Sequence, residues 1–309
     1  MSISQINSMY YTNSPSSQLG FYIAGLIEGD GNIWTSKTFK SAKGRINNPQ
    51  ITFTFHLKEK PFFAKMKTIL NTGSLYQETL RDVCKYRISE TTKLIEMINL
   101  INGKFRTPKV KYLYKAIDHI NIIHKTNIEK LPLDNSDIGS NAWLAGFTDA
   151  DGHFQISLQG IYGLNKSLDR GRVKCIFSIK QRVIDKGTGD SCIPFMLKIA
   201  NFFQCNINYK SKNEMTFLAQ ADSKHYLTKS YFDKYPLMTS KHLDYLCFLQ
   251  GLKYLGIRLT DQEIFEIQMV KSFMNKNRTF FNWNHLNNLK LDFKTISGHK
   301  LMVNWLSTK

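Results

Sequence analysis

The chain contains no uninterrupted apolar run of the roughly 18–20 residues that a membrane-spanning helix requires, so no transmembrane anchor is predicted. Cysteine is sparse. Cys84, Cys175, Cys192, Cys205 and Cys247 are odd in number, scattered, and form no CxxC pair. This argues against a disulfide framework or a cysteine zinc site and points to a reducing compartment. The opening "MSISQINSMYYTNSPSSQ" lacks both a basic n-region and an apolar h-region. Residues 1–18 are therefore expected to be a tail, neither a secretory signal nor an Arg-rich matrix-targeting peptide. Acidic residues are also few: 24 Asp and Glu face 42 Lys and Arg, a formal net charge of +18. Solubility of a small domain asks for only about 2–8 charges, so the excess predicts a polyanionic partner. No strongly basic amphipathic helix of the membrane-surface type accompanies it, which favours nucleic acid over lipid.

What is present fits a folded protein. The 309 residues are 42% hydrophobic and 13% aromatic, enough for two cored domains of about 100–150 residues each. The abundance of Asn, Ile, Lys, Phe and Tyr matches A/T-rich codons, and a mitochondrion or another organelle is the expected home. One nine-residue pattern occurs twice, "IAGLIEGDG" at residues 23–31 and "LAGFTDADG" at residues 144–152. Gly25 and Gly146, like Asp30 and Asp151, lie 121 residues apart. Similar stretches follow each copy, and "HKTNIEKLPLDNSDIGSN" between them reads as a linker. Two copies are too few for a solenoid. The spacing predicts a tail (1–18), a first domain (19–124), a linker (125–140) and a second domain with C-terminal helices (141–309).

Alternation of polar and apolar residues predicts strands. Gln50, Thr52, Thr54 and His56 oppose Ile51, Phe53, Phe55 and Leu57; Lys85 and Arg87 oppose Cys84, Tyr86 and Ile88. In the second half His153, Gln155, Ser157 and Gln159 oppose Phe154, Ile156 and Leu158, and Arg172, Lys174, Ser178 and Lys180 oppose Val173, Cys175, Phe177 and Ile179. Polar faces rich in Lys, Arg, Gln and Ser suit base edges and phosphates. Lys37, Lys40, Arg45, Lys210 and Lys212 extend the predicted DNA-binding set.

Gly25 and Gly29 are four apart, as are Gly146 and Ala150, so each motif helix carries a stripe without bulk on one face. Glycine costs about 1 kcal/mol against alanine inside a helix, which calls for a packing reason. The simplest is that the two helices pack on each other around a pseudo-two-fold axis. Asp30 and Asp151 then fall at helix C-termini, disfavoured by the dipole and by each other. Gly31 and Gly152 are expected in the left-handed conformation just past the helix. A divalent cation would relieve both penalties. Hard carboxylate oxygens with the carbonyls of Gly29 and Ala150 suit Mg²⁺. Glu28 and Asp149 are expected to point away from that site, toward basic or backbone partners in their own domains.

These residues resemble the LAGLIDADG homing endonucleases in their single-chain, two-motif form, over nearly the whole chain from about Leu19. The resemblance implies an α+β fold of two pseudo-symmetric αββαββα domains, forming a DNA-binding saddle of antiparallel sheets with the motif helices at the domain interface. It implies an intron-encoded, monomeric enzyme that makes a metal-dependent double-strand break with 3′ overhangs in a long, nearly asymmetric DNA target. Asp30 and Asp151 match the metal-binding acids. Gln181 matches a residue that positions water or metal, and Leu57 stands at its expected first-half counterpart, so the two sites are not equivalent. Lys109 and Lys241 match a basic residue at the start of the helix after the last strand, with Lys104 a rival in the first half. The resemblance further implies Mg²⁺ as cofactor, Mn²⁺ as substitute, and Ca²⁺ supporting binding without cleavage. An RNA maturase acting on the host intron RNA, or a dual maturase and endonuclease, is the alternative; a non-catalytic DNA-binding regulator is a lesser one.

Beyond residue 255, Thr260 and Glu263 form a capping-box pattern. Phe265, Ile267 and Met269 are expected to pack the second domain. Core packing is likewise favoured for Phe280, Phe281 and Trp283 over stacking on bases.

Overall fold

Each motif helix runs directly into a strand. Helix α1 (Pro15–Asp30) passes into β1 (Gly31–Trp34), and α5 (Trp143–Asp151) into β5 (Gly152–Gln159). The computed structural model describes residues 15–78, 81–159, 171–219 and 222–287. The rest of the first half is β2 (Gln50–His56), α2 (Lys60–Leu70), β3 (Ser74–Gln77), β4 (Val83–Ile88), α3 (Thr91–Ile101) and α4 (Val110–His124). The second half continues with β6 (Arg172–Arg182), α6 (Ile193–Phe202), β7 (Ile207–Ser211), β8 (Glu214–Ala219), α7 (Asp222–Lys234), α8 (Lys241–Leu252) and α9 (Asp261–Ser272). Residues 1–14 and everything after residue 287 lie outside the described residues. Pro15–Gln18, expected in the tail, form the first turn of α1 instead, with Gln18 Oε1 accepting from Ala142 N at 3.0 Å.

The α+β fold follows from the patterns. Two antiparallel four-stranded sheets have the orders β1-β2-β4-β3 and β5-β6-β8-β7. Their apolar faces are buried, as alternation predicts: Ile51, Phe53, Tyr86 and Ile88 in the first sheet, Phe154, Cys175, Phe177 and Ile179 in the second. Aromatic rings dominate beneath both. Phe55 stacks on Phe63 at 3.9 Å and Phe53 on Tyr86 at 6.2 Å. In the second half Phe154 meets Phe177, Phe232 and Phe248 within 5.0–5.6 Å. Strand β2 stops at His56, whose Nδ1 accepts from Lys58 N at 3.1 Å and caps a 3₁₀ turn, Leu57–Glu59. Leu57 therefore begins a turn and does not extend the strand.

The motif helices form the seam between the halves. A Cβ added to Gly25 would lie 2.0 Å from the Trp143 carbonyl oxygen, and one on Gly146 would lie 1.9 Å from that of Tyr22. A Cβ on Gly29 would strike the Ala150 methyl at 2.1 Å. Backbone thus touches backbone, and the small-residue stripe has the packing role its spacing predicts. Both helices are buried almost all round, Tyr22, Ala24, Trp143 and Ala145 completely, which explains why neither is amphipathic.

Gly31 and Gly152 correct an expectation. Gly152 is extended (φ −75°, ψ 157°), and Gly31 is absent from the positive-φ residues. Their role is steric: a Cβ on Gly31 would lie 2.6 Å from Ile27 Cα, and one on Gly152 2.4 Å from the Thr148 methyl. The strand leaves too close to the preceding helical turn for any side chain there.

Between α4 and the 3₁₀ turn Ile138–Ser140 the chain forms no helix or strand but is tied down. The Arg106 guanidinium pairs with Asp134 at 2.5 Å and donates to Ser136 O at 2.8 Å. Helix α9 opens on the expected capping box of Thr260 and Glu263. Ile267 is buried as predicted, but Phe265 and Met269 are 58% and 41% exposed, and Phe280 is 63% exposed. Phe265 and Met269 lie off the core because only one face of α9 meets α8. Phe280 sits in the irregular segment after that helix, while Trp283 packs partly buried against the core.

Candidate active site

Asp30 and Asp151 end α1 and α5. Since those helices touch at Gly29 and Ala150, the two carboxylates are brought together at one end of the seam. Among the described residues no Lys or Arg forms an ion pair with either. The Asp30 side chain reaches solvent, yet surrounding protein crowds it. Desolvation, ahead of the charge of Asp151, raises its pKa to about 6. Burial also raises Asp151, against the pull of a hydrogen bond from Gln181. Gln181 Nε2 donates to Asp151 Oδ2 at 2.6 Å.

The two lysines matched at the helix starts both arrive at this point. Lys109 Nζ donates to the carbonyls of Gly29 (2.7 Å), Gly31 (3.3 Å) and Ile27 (3.4 Å). Lys241 Nζ donates to those of Ala150 (2.5 Å), Thr148 (3.0 Å) and Asp149 (3.0 Å). Each ammonium therefore satisfies the orphan carbonyls of a helix C-terminus and offsets its dipole. Burial lowers both lysine pKa values, opposed by the neighbouring carboxylates. Lys104 lies elsewhere, its methylenes 3.0 Å from the Cβ position of Gly20 and its ammonium 5.5 Å from the Phe21 ring. It sits nearly three turns up α1 from Asp30.

Glu28 and Asp149 turn away from Asp30 and Asp151, as helical geometry predicts. Glu28 accepts from the backbone N–H groups of Arg106 (2.9 Å) and Thr107 (2.6 Å) and from Trp143 Nε1 (2.5 Å). Asp149 accepts from Met238 N (2.7 Å), Thr239 Oγ1 (2.5 Å) and Tyr22 Oη (2.6 Å). Burial pushes Glu28 up to about 7 and Asp149 to about 6, with those hydrogen bonds pulling each down. Each acid thus anchors the loop that starts a lysine-bearing helix. The aromatic donors come from the opposite half, which the expectation of purely intradomain partners missed.

Strand registers correct the first-half match for Gln181. Gly31 pairs with Phe53 and Gly152 with Ile179. Tyr86 lies between Phe53 and Leu75, just as Phe217 lies between Ile179 and Ile207. Counting along each strand, Phe55 stands at the level of Gln181, two residues before Leu57. Phe55 is stacked on Phe63, so the asymmetry of the two sites stands with a different residue.

The outward sheet faces carry the predicted DNA-binding side chains. Thr52 pairs with Arg87 and Thr54 with Lys85; Ser157 pairs with Lys174 and Gln159 with Arg172. Gln155 and His153 are exposed on β5, Ser178 and Lys180 face outward on β6, and Gln50 and Thr52 are half-buried on β2. Lys37, Lys40 and Arg45 are exposed in the β1–β2 connection, as are Lys210 and Lys212 around the β7–β8 turn. The faces are less free of acid than the sequence pattern indicated. Lys85 pairs with Glu78 at 2.8 Å and Lys180 with Glu214 at 2.9 Å. Arg87 lies over the Tyr76 ring at 5.0 Å.

A divalent cation is tested by the donor set. No group of three or more His, Cys, Asp and Glu gathers among the described residues. Asp30 and Asp151, without an ion-pair partner among the described residues, are hard oxygen donors beside backbone carbonyls, and they fit a cation that keeps several waters. The lysine hydrogen bonds occupy one lone pair of the Gly29 and Ala150 carbonyls and leave each a second.

Two sheet-bearing halves joined by a glycine-paired helix seam, each delivering an aspartate to the same end, make a two-repeat LAGLIDADG protein. The chain belongs to the LAGLIDADG endonuclease family, whose model matches residues 23–120 and again 144–252. It is 31% identical to the intron-encoded DNA endonuclease aI3 of Saccharomyces cerevisiae, over 90% of this chain and 74% of that protein. It is also 31% identical to the intron-encoded RNA maturase bI4 of the same yeast, over 48% of this chain and 21% of the maturase. The crystal structure of the LAGLIDADG meganuclease I-AabMI bound to uncleaved DNA is similar in fold, with a TM-score of 0.64. At 20% identity that alignment covers 83% of this chain and 99% of the meganuclease. Among the described residues no helix is long and apolar enough to cross a membrane.

Proposed function

We propose that this chain is a site-specific DNA endonuclease that makes a divalent-metal-dependent double-strand break, with 3′ overhangs, in a long and nearly asymmetric target. The observation that carries this reading is the convergence of Asp30 and Asp151 at the Gly29–Ala150 contact, flanked by Lys109 and Lys241 and by two basic sheet faces. Residues 19–124 and 141–309 would act as the two domains, joined by 125–140, with one chain supplying both motif copies. An organelle, by analogy with the intron-encoded relatives, is the proposed setting.

Asp30 and Asp151 would hold Mg²⁺, with the carbonyls of Gly29 and Ala150 as further donors; Mn²⁺ would substitute, and Ca²⁺ would support binding alone. Bound there, the ions supply Lewis acidity to the scissile phosphate and an activated water. The chain does the rest. Gln181 fixes the orientation of the Asp151 carboxylate. Lys109 and Lys241 hold the helix ends in place and add positive charge facing the phosphate. The sheet faces would set register on the duplex through Thr52, Arg87, Gln155, Lys174 and their neighbours, with the central base steps over Asp30 and Asp151.

The resemblance to bI4 motivates one second reading, an RNA maturase using the same basic surface. A plasmid carrying the intron-less host junction separates them. Linear product with Mg²⁺, none with Ca²⁺ and none from Asp151→Asn supports the nuclease. Salt-sensitive binding without cutting in Mg²⁺ moves the reading to the maturase, tested next by splicing of the host intron RNA.

A further inference from the structure

Glu59 belongs to the first half, yet its carboxylate accepts a hydrogen bond from Ser240 N at 2.9 Å and another from the Ser240 hydroxyl. Ser240 is the cap residue immediately before α8, and Lys241 is that helix's first residue. Helix N-termini present unsatisfied N–H groups and the positive end of the dipole, so a carboxylate there holds the first turn. Residues 238–240 are thus gripped from two sides. Asp149 holds Met238 and Thr239 from within the second half, and Glu59 holds Ser240 from the first.

The first half has an inner grip, Glu28 on Arg106 N and Thr107 N. Among the described residues, however, no carboxylate of the other half is hydrogen-bonded to the residue before Lys109; Asp185 acts on Lys109 through its charge alone. Thr107 and Lys109 correspond to Thr239 and Lys241, each threonine Oγ1 accepting from its lysine N–H at 3.3 Å. Between them stands Pro108 where the second half has Ser240. Proline offers neither an N–H nor a hydroxyl to a carboxylate. By the strand registers given above, Glu59 corresponds to Asp185. That carboxylate accepts from Gly187 N and Thr188 N in its own turn. The ion pair that does reach α4, Asp190 with Lys111 at 2.5 Å, is half exposed on both sides and holds little.

We propose that Glu59 is a positioning residue for Lys241, acting from the opposite half, so that the two lysines are set by unequal means and the two strands are cut at centres of unequal support. This rests on the endonuclease reading above, and two independent measurements separate the two claims. In amide hydrogen exchange, Glu59→Ala is expected to speed exchange at residues 240–244 about tenfold and to leave residues 109–113, the cap and first turn of α4, unchanged. Glu59→Gln keeps an acceptor for Ser240 N and restores protection. On a duplex labelled on each strand, Glu59→Ala is expected to slow, about tenfold, the strand that Lys241→Ala slows. It leaves the strand sensitive to Lys109→Ala unchanged, and combining Glu59→Ala with Lys241→Ala adds no further loss. Unchanged exchange at 240–244, equal acceleration in both helices, or equal slowing of both strands would overturn the proposal. A wild-type protein that cuts no DNA sinks the endonuclease reading, while the exchange pattern still decides whether Glu59 holds α8.

Discussion

Tyr22 and Trp143 occupy equivalent places in the two motif helices, 121 residues apart, and each donates across the seam to the other half's buried acid. Tyr22 Oη reaches Asp149 at 2.6 Å and Trp143 Nε1 reaches Glu28 at 2.5 Å. The seam is therefore held by reciprocal hydrogen bonds to buried carboxyl groups as well as by glycine contacts. Tyr22→Phe removes one donor from a buried carboxylate and little volume. Its expected cost is about 2 kcal/mol in urea unfolding. A loss within error would show that the Asp149 bonds to Met238 and Thr239 suffice.

Gly146→Ala places a methyl 1.9 Å from the Tyr22 carbonyl oxygen. No rotamer relieves a backbone clash, so the helices must separate. We expect a loss of roughly 3 kcal/mol and a larger loss of cleavage, because the separation also spreads Asp30 from Asp151. Gly44, whose Cβ would meet nothing within 4 Å, is the contrasting position for space, although its φ of +74° keeps alanine strained there. A Gly146→Ala protein that unfolds and cuts like wild type would contradict the seam geometry.

The raised pKa of Asp30 fixes a pH dependence of the metal-free protein. The carboxyl titrates near 6 when folded against 3.8 ordinarily, so the folded chain keeps this proton longer than the unfolded chain. Its contribution to stability is full below about pH 4 and is lost as pH rises through about 6. After discounting for solvent screening, the loss is about 1 kcal/mol. Asp30→Asn removes it, so the variant should gain on wild type by that amount between about pH 4 and about pH 7 in chelator. Mg²⁺ should cancel the gain. A stability difference flat across that window would refute the assignment.

Gln181→Leu deletes the only side-chain amide bonded to Asp151 among the described residues. We expect one strand to be cut about tenfold more slowly with DNA binding unchanged, since the amide orients a carboxylate and the substitution leaves the sheet intact. Phe55→Leu at the matching level of β2 should leave both rates alike. Equal slowing of both strands by Gln181→Leu would show a site shared more closely than the registers imply.

The sheet charges are unequal in worth. Arg172 has no acidic ion-pair partner among the described residues, whereas Lys85 and Lys180 are already paired with Glu78 and Glu214. Arg172→Ala should therefore lower the salt slope of DNA binding by about 0.9, and Lys85→Ala by less. Fluorescence titrations over a range of KCl concentrations decide this, and equal slopes for the two variants would count against it.

The strands and the seam were legible because each rests on a short period. Alternation at Thr52 and Thr54 against Phe53 places a face, and the four-residue step from Gly25 to Gly29 places a contact. What escaped has physical causes. Taking Leu57 for Phe55 preserves the face, since a strand repeats every two residues, so only the ladder registers reveal it. Gly31 and Gly152 looked like left-handed caps because a helix-ending glycine usually is one; here the demand is room against the preceding turn. The link from Glu59 to Ser240 spans 181 residues and leaves no local pattern. The donors Tyr22 and Trp143 were within reach, for the 121-residue offset that pairs Asp30 with Asp151 pairs them as well.

The contacts of Gly25 and Gly146 are with main-chain atoms, which every protein possesses in the same form. The joint between the halves is thus generic in shape, while the Tyr22–Asp149 and Trp143–Glu28 bonds are particular to this pairing. A hybrid of this first half with a relative's second half would close its helices on any partner with small residues in register. Whether the newcomer brings an acceptor for Tyr22 and a donor for Glu28 then decides if the hybrid merely assembles or also holds its lysines ready.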